Sequence, residues 1–276
     1  MVPILVGILA IVLWPGNGRL ERFLAVTQLR RIYRLIQLAL WLLVGLVIVL
    51  FYGHRNTPGG PLEQKRQFWF RVASQLIGLK TVVHGHATEN TALWIANHVS
   101  WVDIPLLGGV APVNFLSKAE IRHWPLIGWL AQRGGTLFIK RGDKQGARQA
   151  YETISENLAE HRSILIFPEG TTSDGHQLRR FHARLLGPAL DLKMMVQPVA
   201  IRYLQANGEL SRVVPFIDHQ TFLPNLWRVL GEQGTIAEVH LLPALEAAHF
   251  TERKALAAQL QADVARVIES SSLSDV

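Results

Sequence analysis

Between Leu35 and Tyr52 the chain is apolar apart from Gln37. A helix drawn through that run is about 27 Å long at about 1.5 Å per residue, close to the roughly 30 Å of a bilayer's hydrocarbon core. A second apolar run, Val2–Trp14, is about 20 Å long as a helix and too short to span comfortably. Arg19, Arg22, Arg30, Arg31 and Arg34 lie between the two runs, opposed by Glu21 alone. Met1–Trp14 lacks the basic start and small-residue cleavage site of a secretory signal, so an uncleaved membrane segment is expected. Arg55, Lys65, Arg66 and Arg71 follow the second run, and basic residues on both flanks leave the positive-inside count undecided. Two arrangements fit: a monotopic hairpin dipping into one leaflet, or one spanning helix plus an interfacial stretch. Trp41, Trp69, Trp94, Trp101, Trp124 and Trp129 divide between an interfacial belt and core packing, with core the better expectation for each.

The rest of the composition narrows the partners. The 276 residues carry 28 Lys+Arg against 21 Asp+Glu, a formal charge of +7, and no cysteine. Disulfide scaffolds, thiolate metal sites and cysteine nucleophiles are thereby excluded. The basic residues gather around the apolar N-terminus instead of forming a basic–aromatic stripe, and no finger, zipper or RNA-binding signature occurs. Anionic lipid, not nucleic acid, is the expected partner of this charge.

Asn, Pro and Gly between Asn56 and Pro61 mark a break, so residues 1–55 read as membrane-anchoring helices and residues 56–276 as a separate domain. There, strand-like runs at Thr81–His84, Leu93–Ala96, Val113–Ser117, Thr136–Ile139, Ser163–Phe167, Val196–Ile201 and Ile236–Leu242 alternate with helical patterns. The helices are expected at Trp101–Leu107, Pro125–Ala131, Lys144–His161, Arg184–Leu192 and Thr251–Glu269. This alternation predicts an α/β domain, a mostly parallel central sheet flanked by helices. In such sheets chemistry collects at the carboxyl ends of strands.

Two polar clusters fall at such ends. Asn97-His98-Val99-Ser100-Trp101-Val102-Asp103 follows one strand, and Phe167-Pro168-Glu169-Gly170-Thr171-Thr172-Ser173-Asp174 follows another. Structurally, Ser100 and Asp103 have capping-box spacing and the second cluster is a decorated turn. Chemically, a neutral imidazole before a helix start accepts a proton from a hydroxyl while a carboxylate orients it. Five positions do not share one helix face, so His98 has to precede the first turn and fold back onto Asp103. A metal-dependent membrane hydrolase using His98, Asp103 and Glu169 is the alternative from another class. His84-Gly85-His86 adds two imidazoles, which on a strand share a face and read as solvent-facing. No Gly-x-Ser-x-Gly elbow occurs, which disfavours a serine hydrolase.

His98 and Asp103 form an H-x4-D motif, and Phe167-Pro168-Glu169-Gly170-Thr171 is a second hallmark. With Lys118-Ala119-Glu120, Phe138-Ile139-Lys140-Arg141 and Val196-Gln197-Pro198-Val199-Ala200-Ile201 in the same order, the stretch from Thr81 to Ile201 resembles the glycerolipid acyltransferase family. That resemblance implies direct transfer of a fatty acyl group from acyl-CoA or acyl carrier protein to a lysolipid hydroxyl, with neither a metal nor another cofactor. It implies that His98 is the base and Asp103 its orienting partner. Arg141 is the implied phosphate ligand and Lys118 a second candidate, while Glu169 fixes the acceptor's polar groups or the turn. Backbone amides near Gly170, Thr171 and Thr172 are candidates for the oxyanion. The implied location is the inner membrane, with the catalytic domain facing the cytoplasm.

The expected acceptor is 1-acylglycerol-3-phosphate, giving phosphatidate. The chain nonetheless departs from the family's common pattern at Thr172, where arginine is usual, and at Phe181-His182-Ala183-Arg184. The Thr-Thr-x-Asp-Gly form also resembles a branch that includes lyso-ornithine lipid acyltransferases, whose acceptor carries no phosphate. Arg179, Arg180 and Arg184 are the basic residues near enough in sequence to compensate. Leu106–Leu107 and Trp124–Leu130 are expected either to line an acyl groove or to pack in the core.

Overall fold

The computed structural model describes residues 19–53, 57–140, 144–217 and 220–269; Val2–Trp14 and Arg141 lie outside the described residues. Helix α1, Arg19–Tyr52, is a single 34-residue helix that joins the basic stretch to the apolar run. Glu21–Tyr52 is long and apolar enough to cross a membrane. Leu40, Val47, Leu50 and Phe51 on it are exposed, which suits contact with lipid.

Helix α2, Pro61–Ile77, was not legible from periodicity. The break-like sequence before it is its N-terminal cap. Pro61 takes the first turn, where its missing N–H costs nothing, and the Glu63 carboxylate accepts from Gly59 N at 2.7 Å. The helix ends at Gly78, whose φ of +106° lets its N–H reach back to the carbonyls of Ser74 and Gln75. α1 and α2 are cross-tied: Trp41 Nε1 donates to the Trp69 carbonyl at 3.0 Å and Trp69 Nε1 to the Trp41 carbonyl at 2.8 Å.

The remaining elements run in chain order. They are β1 (Leu79–Gly85), β2 (Ala92–Ala96), α3 (Asp103–Val110), β3 (Asn114–Lys118), α4 (Ile127–Arg133), β4 (Leu137–Ile139), α5 (Lys144–Ala159) and β5 (Ile164–Ile166). There follow α6 (Gly187–Asp191), β6 (Met195–Leu204), α7 (Phe222–Gly231), β7 (Thr235–Leu241), β8 (Leu245–Glu246) and α8 (Arg253–Glu269). The sheet order is β1-β7-β6-β2-β5-β3-β4, with β8 beside β6. Neighbours from β6 to β4 run parallel, β7 is antiparallel to β6, and the edge strand β1 is parallel to β7. The expected mostly parallel sheet is observed.

The differences from expectation have local causes. The single helix expected over Arg184–Leu192 is a 3-10 turn, Ala183–Leu186, followed by α6, with Pro188 in the first turn of α6, where its missing N–H costs nothing. α7 was also missed.

Two apolar layers sandwich the sheet. One contains Ile77, Trp94, Leu106, Leu107, Ile201, Tyr203 and Val229; the other contains Leu93, Ile95, Ile154, Leu158, Leu256, Leu260 and Val264. Leu106 and Leu107 are therefore buried core. Trp94 is core as well, whereas Trp124 and Trp129 are exposed beside Leu126 and Ile127.

Two arginines of α1 bind backbone carbonyls at one end of α7. Arg30 Nη1 donates to Gly231 O at 2.7 Å, and Arg34 Nη1 donates to Leu230 O at 3.0 Å and to Glu232 O at 2.6 Å. These carbonyls close the C-terminal end of α7, where a helix carries negative partial charge. The long apolar helix is thus latched to α7 by its own basic segment.

Candidate active site

β2 delivers His98 to the carboxyl rim of the sheet, and β5 delivers Phe167–Thr172 to the same rim one strand away. Asn97 continues the sheet beyond β2: its Nδ2 donates to Ile201 O at 3.0 Å, and its Oδ1 accepts from Ile201 N at 2.7 Å. His98 follows in the loop, before α3 begins at Asp103.

The fold-back required by the H-x4-D spacing is present. His98 Nδ1 lies 2.7 Å from Asp103 Oδ2, which also accepts from Val99 N at 2.8 Å and Ser100 N at 3.0 Å. Asp103 Oδ1 accepts from the Tyr203 hydroxyl at 2.6 Å. A fully buried carboxylate is costly unless charge-assisted hydrogen bonds replace its water, and here its contacts do so. Because Asp103 is an acceptor, Nδ1 carries the proton of a neutral His98 and Nε2 keeps its lone pair. The capping-box expectation is half met: Asp103 reaches back to Ser100 N, but Ser100 Oγ is buried without a partner.

The second motif holds the first. Phe167 stacks on the His98 ring, with centroids 4.0 Å apart and planes 13° from parallel. Glu169 Oε1 accepts from His98 N at 2.8 Å while its Oε2 accepts from Arg179 N at 3.0 Å. Ser173 N donates to His98 O at 2.8 Å. The backbone of His98 is therefore gripped at both its N–H and its C=O. Burial pushes the Glu169 carboxyl above its usual range, partly offset by those two N–H donors.

Gly170 has a φ of +74°, a conformation that favours glycine, and its N–H closes the turn onto Phe167 O at 3.1 Å. Its amide is thus taken, which removes it from the expected oxyanion set. Among the described residues, the amides of Thr171 and Thr172 donate to no protein acceptor. The Thr172 hydroxyl donates to the Phe216 carbonyl, so it does not stand in for the arginine usual at that place.

The remaining candidates divide. Lys118 is exposed at the end of β3, on the same rim but beyond β5 from β2. Arg141 lies outside the described residues. Arg179, Arg180 and Arg184 are exposed on the segment after the second motif. The alternative of a metal-dependent hydrolase at His98, Asp103 and Glu169 gains no support, since the oxygens of both carboxylates already accept from protein donors.

Tyr203 was missed by sequence reading. It lies 100 residues beyond Asp103 on β6, with no local motif. The one available signal was its polar hydroxyl on the same buried strand face as the apolar Val199 and Ile201. Burial raises the Tyr203 phenol well above its ordinary value, keeping it a proton donor to Asp103.

An imidazole paired with a buried carboxylate on the carboxyl rim of an α/β sheet is suited to general-base chemistry on a hydroxyl. Residues 80–202 match the family described as Acyltransferase. The chain is 47% identical over 178 residues to a lyso-ornithine lipid O-acyltransferase of Pseudomonas aeruginosa, covering 64% of this chain and 68% of that protein. It is 30% identical over 244 residues to a 1-acyl-sn-glycerol-3-phosphate acyltransferase of Neisseria meningitidis, covering 86% and 93%. A crystal structure of the 1-acyl-sn-glycerophosphate acyltransferase of Thermotoga maritima shares the fold, with a TM-score of 0.67 at 20% identity over 89% of this chain and 96% of that one. The chain belongs to this acyltransferase family and is an enzyme of lipid biosynthesis.

Proposed function

We propose that the protein transfers a fatty acyl group from acyl-CoA or acyl carrier protein to the hydroxyl of lyso-ornithine lipid, with His98 as general base. The observation that carries the chemistry is the 2.7 Å contact of His98 Nδ1 with Asp103 Oδ2, which leaves Nε2 to take the hydroxyl proton. The alcohol oxygen attacks the thioester carbonyl, and the resulting oxyanion is met by the free amides of Thr171 and Thr172. Collapse breaks the carbon–sulfur bond, and the departing thiolate recovers the proton from His98. Asp103 orients the ring and stabilises its protonated form. No cofactor besides the thioester co-substrate enters this scheme.

The acceptor assignment rests on Thr172. Its hydroxyl is committed to Phe216 O, and losing an arginine–phosphate hydrogen bond forfeits about 1.5–3 kcal/mol. The more similar of the two relatives above is named for the ornithine acceptor. Exposed Arg179, Arg180 and Arg184 offer cations to that acceptor's carboxylate. The second reading, 1-acylglycerol-3-phosphate giving phosphatidate, is favoured by the relative matched over 93% of its length, with Lys118 and Arg141 as its phosphate ligands.

Residues 1–55 anchor the enzyme in the inner membrane and residues 56–276 form the catalytic domain on the cytoplasmic side. Exposed Trp124, Leu126, Ile127 and Trp129 extend the apolar surface of α1 and set the rim at headgroup depth. The test is purified protein in detergent with labelled acyl thioester and each acceptor, the products being resolved by lipid chromatography. Ester on lyso-ornithine lipid is expected, with 1-acylglycerol-3-phosphate used at least about tenfold less efficiently, on the scale of one lost charge-assisted bond. Exclusive use of the phosphate acceptor contradicts the assignment and leaves the second reading.

A further inference from the structure

Away from the rim, a second set of imidazoles meets a carboxylate at the free edge of the sheet. β1 and β7 pair in parallel with His84 directly opposite His240. Their rings stack with centroids 4.4 Å apart and planes 16° from parallel. Glu238 lies two residues before His240 on β7, hence on the same face. One ligand atom from each of His84, Glu238 and His240 falls within 4.8 Å of the others. His240 Nε2 is buried with no hydrogen-bond partner and stands 3.5 Å from Glu238 Oε2. His86 takes no part: Gly85, with φ of +79°, ends the strand before it, so the expected His84–His86 pair is replaced by the cross-strand pair.

We propose that His84, Glu238 and His240 form a binding site for a divalent transition-metal cation of the zinc type, which clamps the edge strand β1 to β7. Two imidazoles and one carboxylate with an open fourth position are a donor set suited to Zn²⁺, reached when the exposed His84 ring turns out of the stack so that both nitrogens converge on one ion. His240 Nε2 has only the long contact to Glu238 in place of a well-formed hydrogen bond, and metal coordination satisfies it. Arg202 is the competing cation, with its Nη1 3.3 Å from Glu238 Oε2, and the metal has to displace it from that oxygen. β1 is held by the sheet on one side only and follows α2 directly, so a clamp there fastens the α2–β1 segment to β7. The site plays no part in acyl transfer.

The test uses the full chain in detergent, with any affinity tag removed and metal stripped by chelator, titrated with Zn²⁺ against a chromophoric competitor. One equivalent is expected to bind, weakened on the order of 100-fold in His84→Ala and in His240→Ala, since each ligand carries a share of the binding free energy. Zn²⁺ is expected to raise the melting temperature of the wild type but not of His84→Ala, and Co²⁺ to give visible absorption that His84→Ala abolishes. His98→Ala should bind as the wild type does, which separates this site from the catalytic imidazole. Equal Zn²⁺ affinity in the wild type and the His84→Ala/His240→Ala double variant overturns the proposal, whatever the acyl-transfer assay shows.

Discussion

The sheet joins histidine to carboxylate in two places, and they differ in how much the carboxylate is already committed. At the rim, Asp103 is fully buried and accepts from His98, Val99, Ser100 and Tyr203. At the β1–β7 edge, Glu238 is partly exposed and meets one guanidinium at 3.3 Å. The imidazoles differ likewise: His98 stacks on Phe167 and is held at both backbone groups, whereas His84 stacks on another imidazole and faces solvent. Saturated donors fix one ring in one tautomer, which suits proton transfer. Unsaturated ligands at the edge leave room for a cation.

The comparison breaks most sharply at Asp103. Asp103→Asn keeps the shape but puts amide hydrogens against the donors of Val99 and Ser100, so acyl transfer should fall on the order of 10³-fold or more. Initial rates at saturating acceptor check this, and a loss below about tenfold would contradict the orienting role.

Glu169→Gln comes next. One of the two N–H groups it holds loses its acceptor, which should cost about 10–150-fold in kcat/KM. The same variant carries a pH signature. Burial raises the Glu169 value in the fold, so stability from this group is full below the unfolded value and declines as pH rises through the raised one. Melting temperatures across the acid range should show that decline in the wild type and not in Glu169→Gln.

Tyr203→Phe removes the hydroxyl that donates to Asp103 Oδ1 and should lower kcat about 5–30-fold, with KM nearly unchanged because the phenol touches no substrate. A KM rise with constant kcat would move Tyr203 into acceptor binding. The smallest effect is expected at the edge: His84→Ala should leave acyl transfer within about twofold of wild type, the usual range for a surface change.

The site was legible where its chemistry is local. His98 and Asp103 sit within one loop–helix junction, and the spacing itself demanded the fold-back that the structure shows. Strand positions were legible because β2, β5 and β6 are buried on both faces and read as short apolar runs. What escaped depends on contacts distant in sequence. Tyr203 acts across 100 residues, and Glu169 grips His98 across 71. α2 escaped because Gly60-Pro61, read as a break, is a helix start. The cross-strand partner of His84 escaped because β1–β7 pairing joins the first strand to one near the end of the chain.

The most direct test is His98→Ala in purified, detergent-solubilised protein, assayed by acyl thioester consumption with lyso-ornithine lipid and with 1-acylglycerol-3-phosphate. Loss of transfer on the order of 10²–10⁴-fold with either acceptor, at a melting temperature near that of the wild type, is the predicted result. Transfer at more than half the wild-type rate would contradict a base at this position.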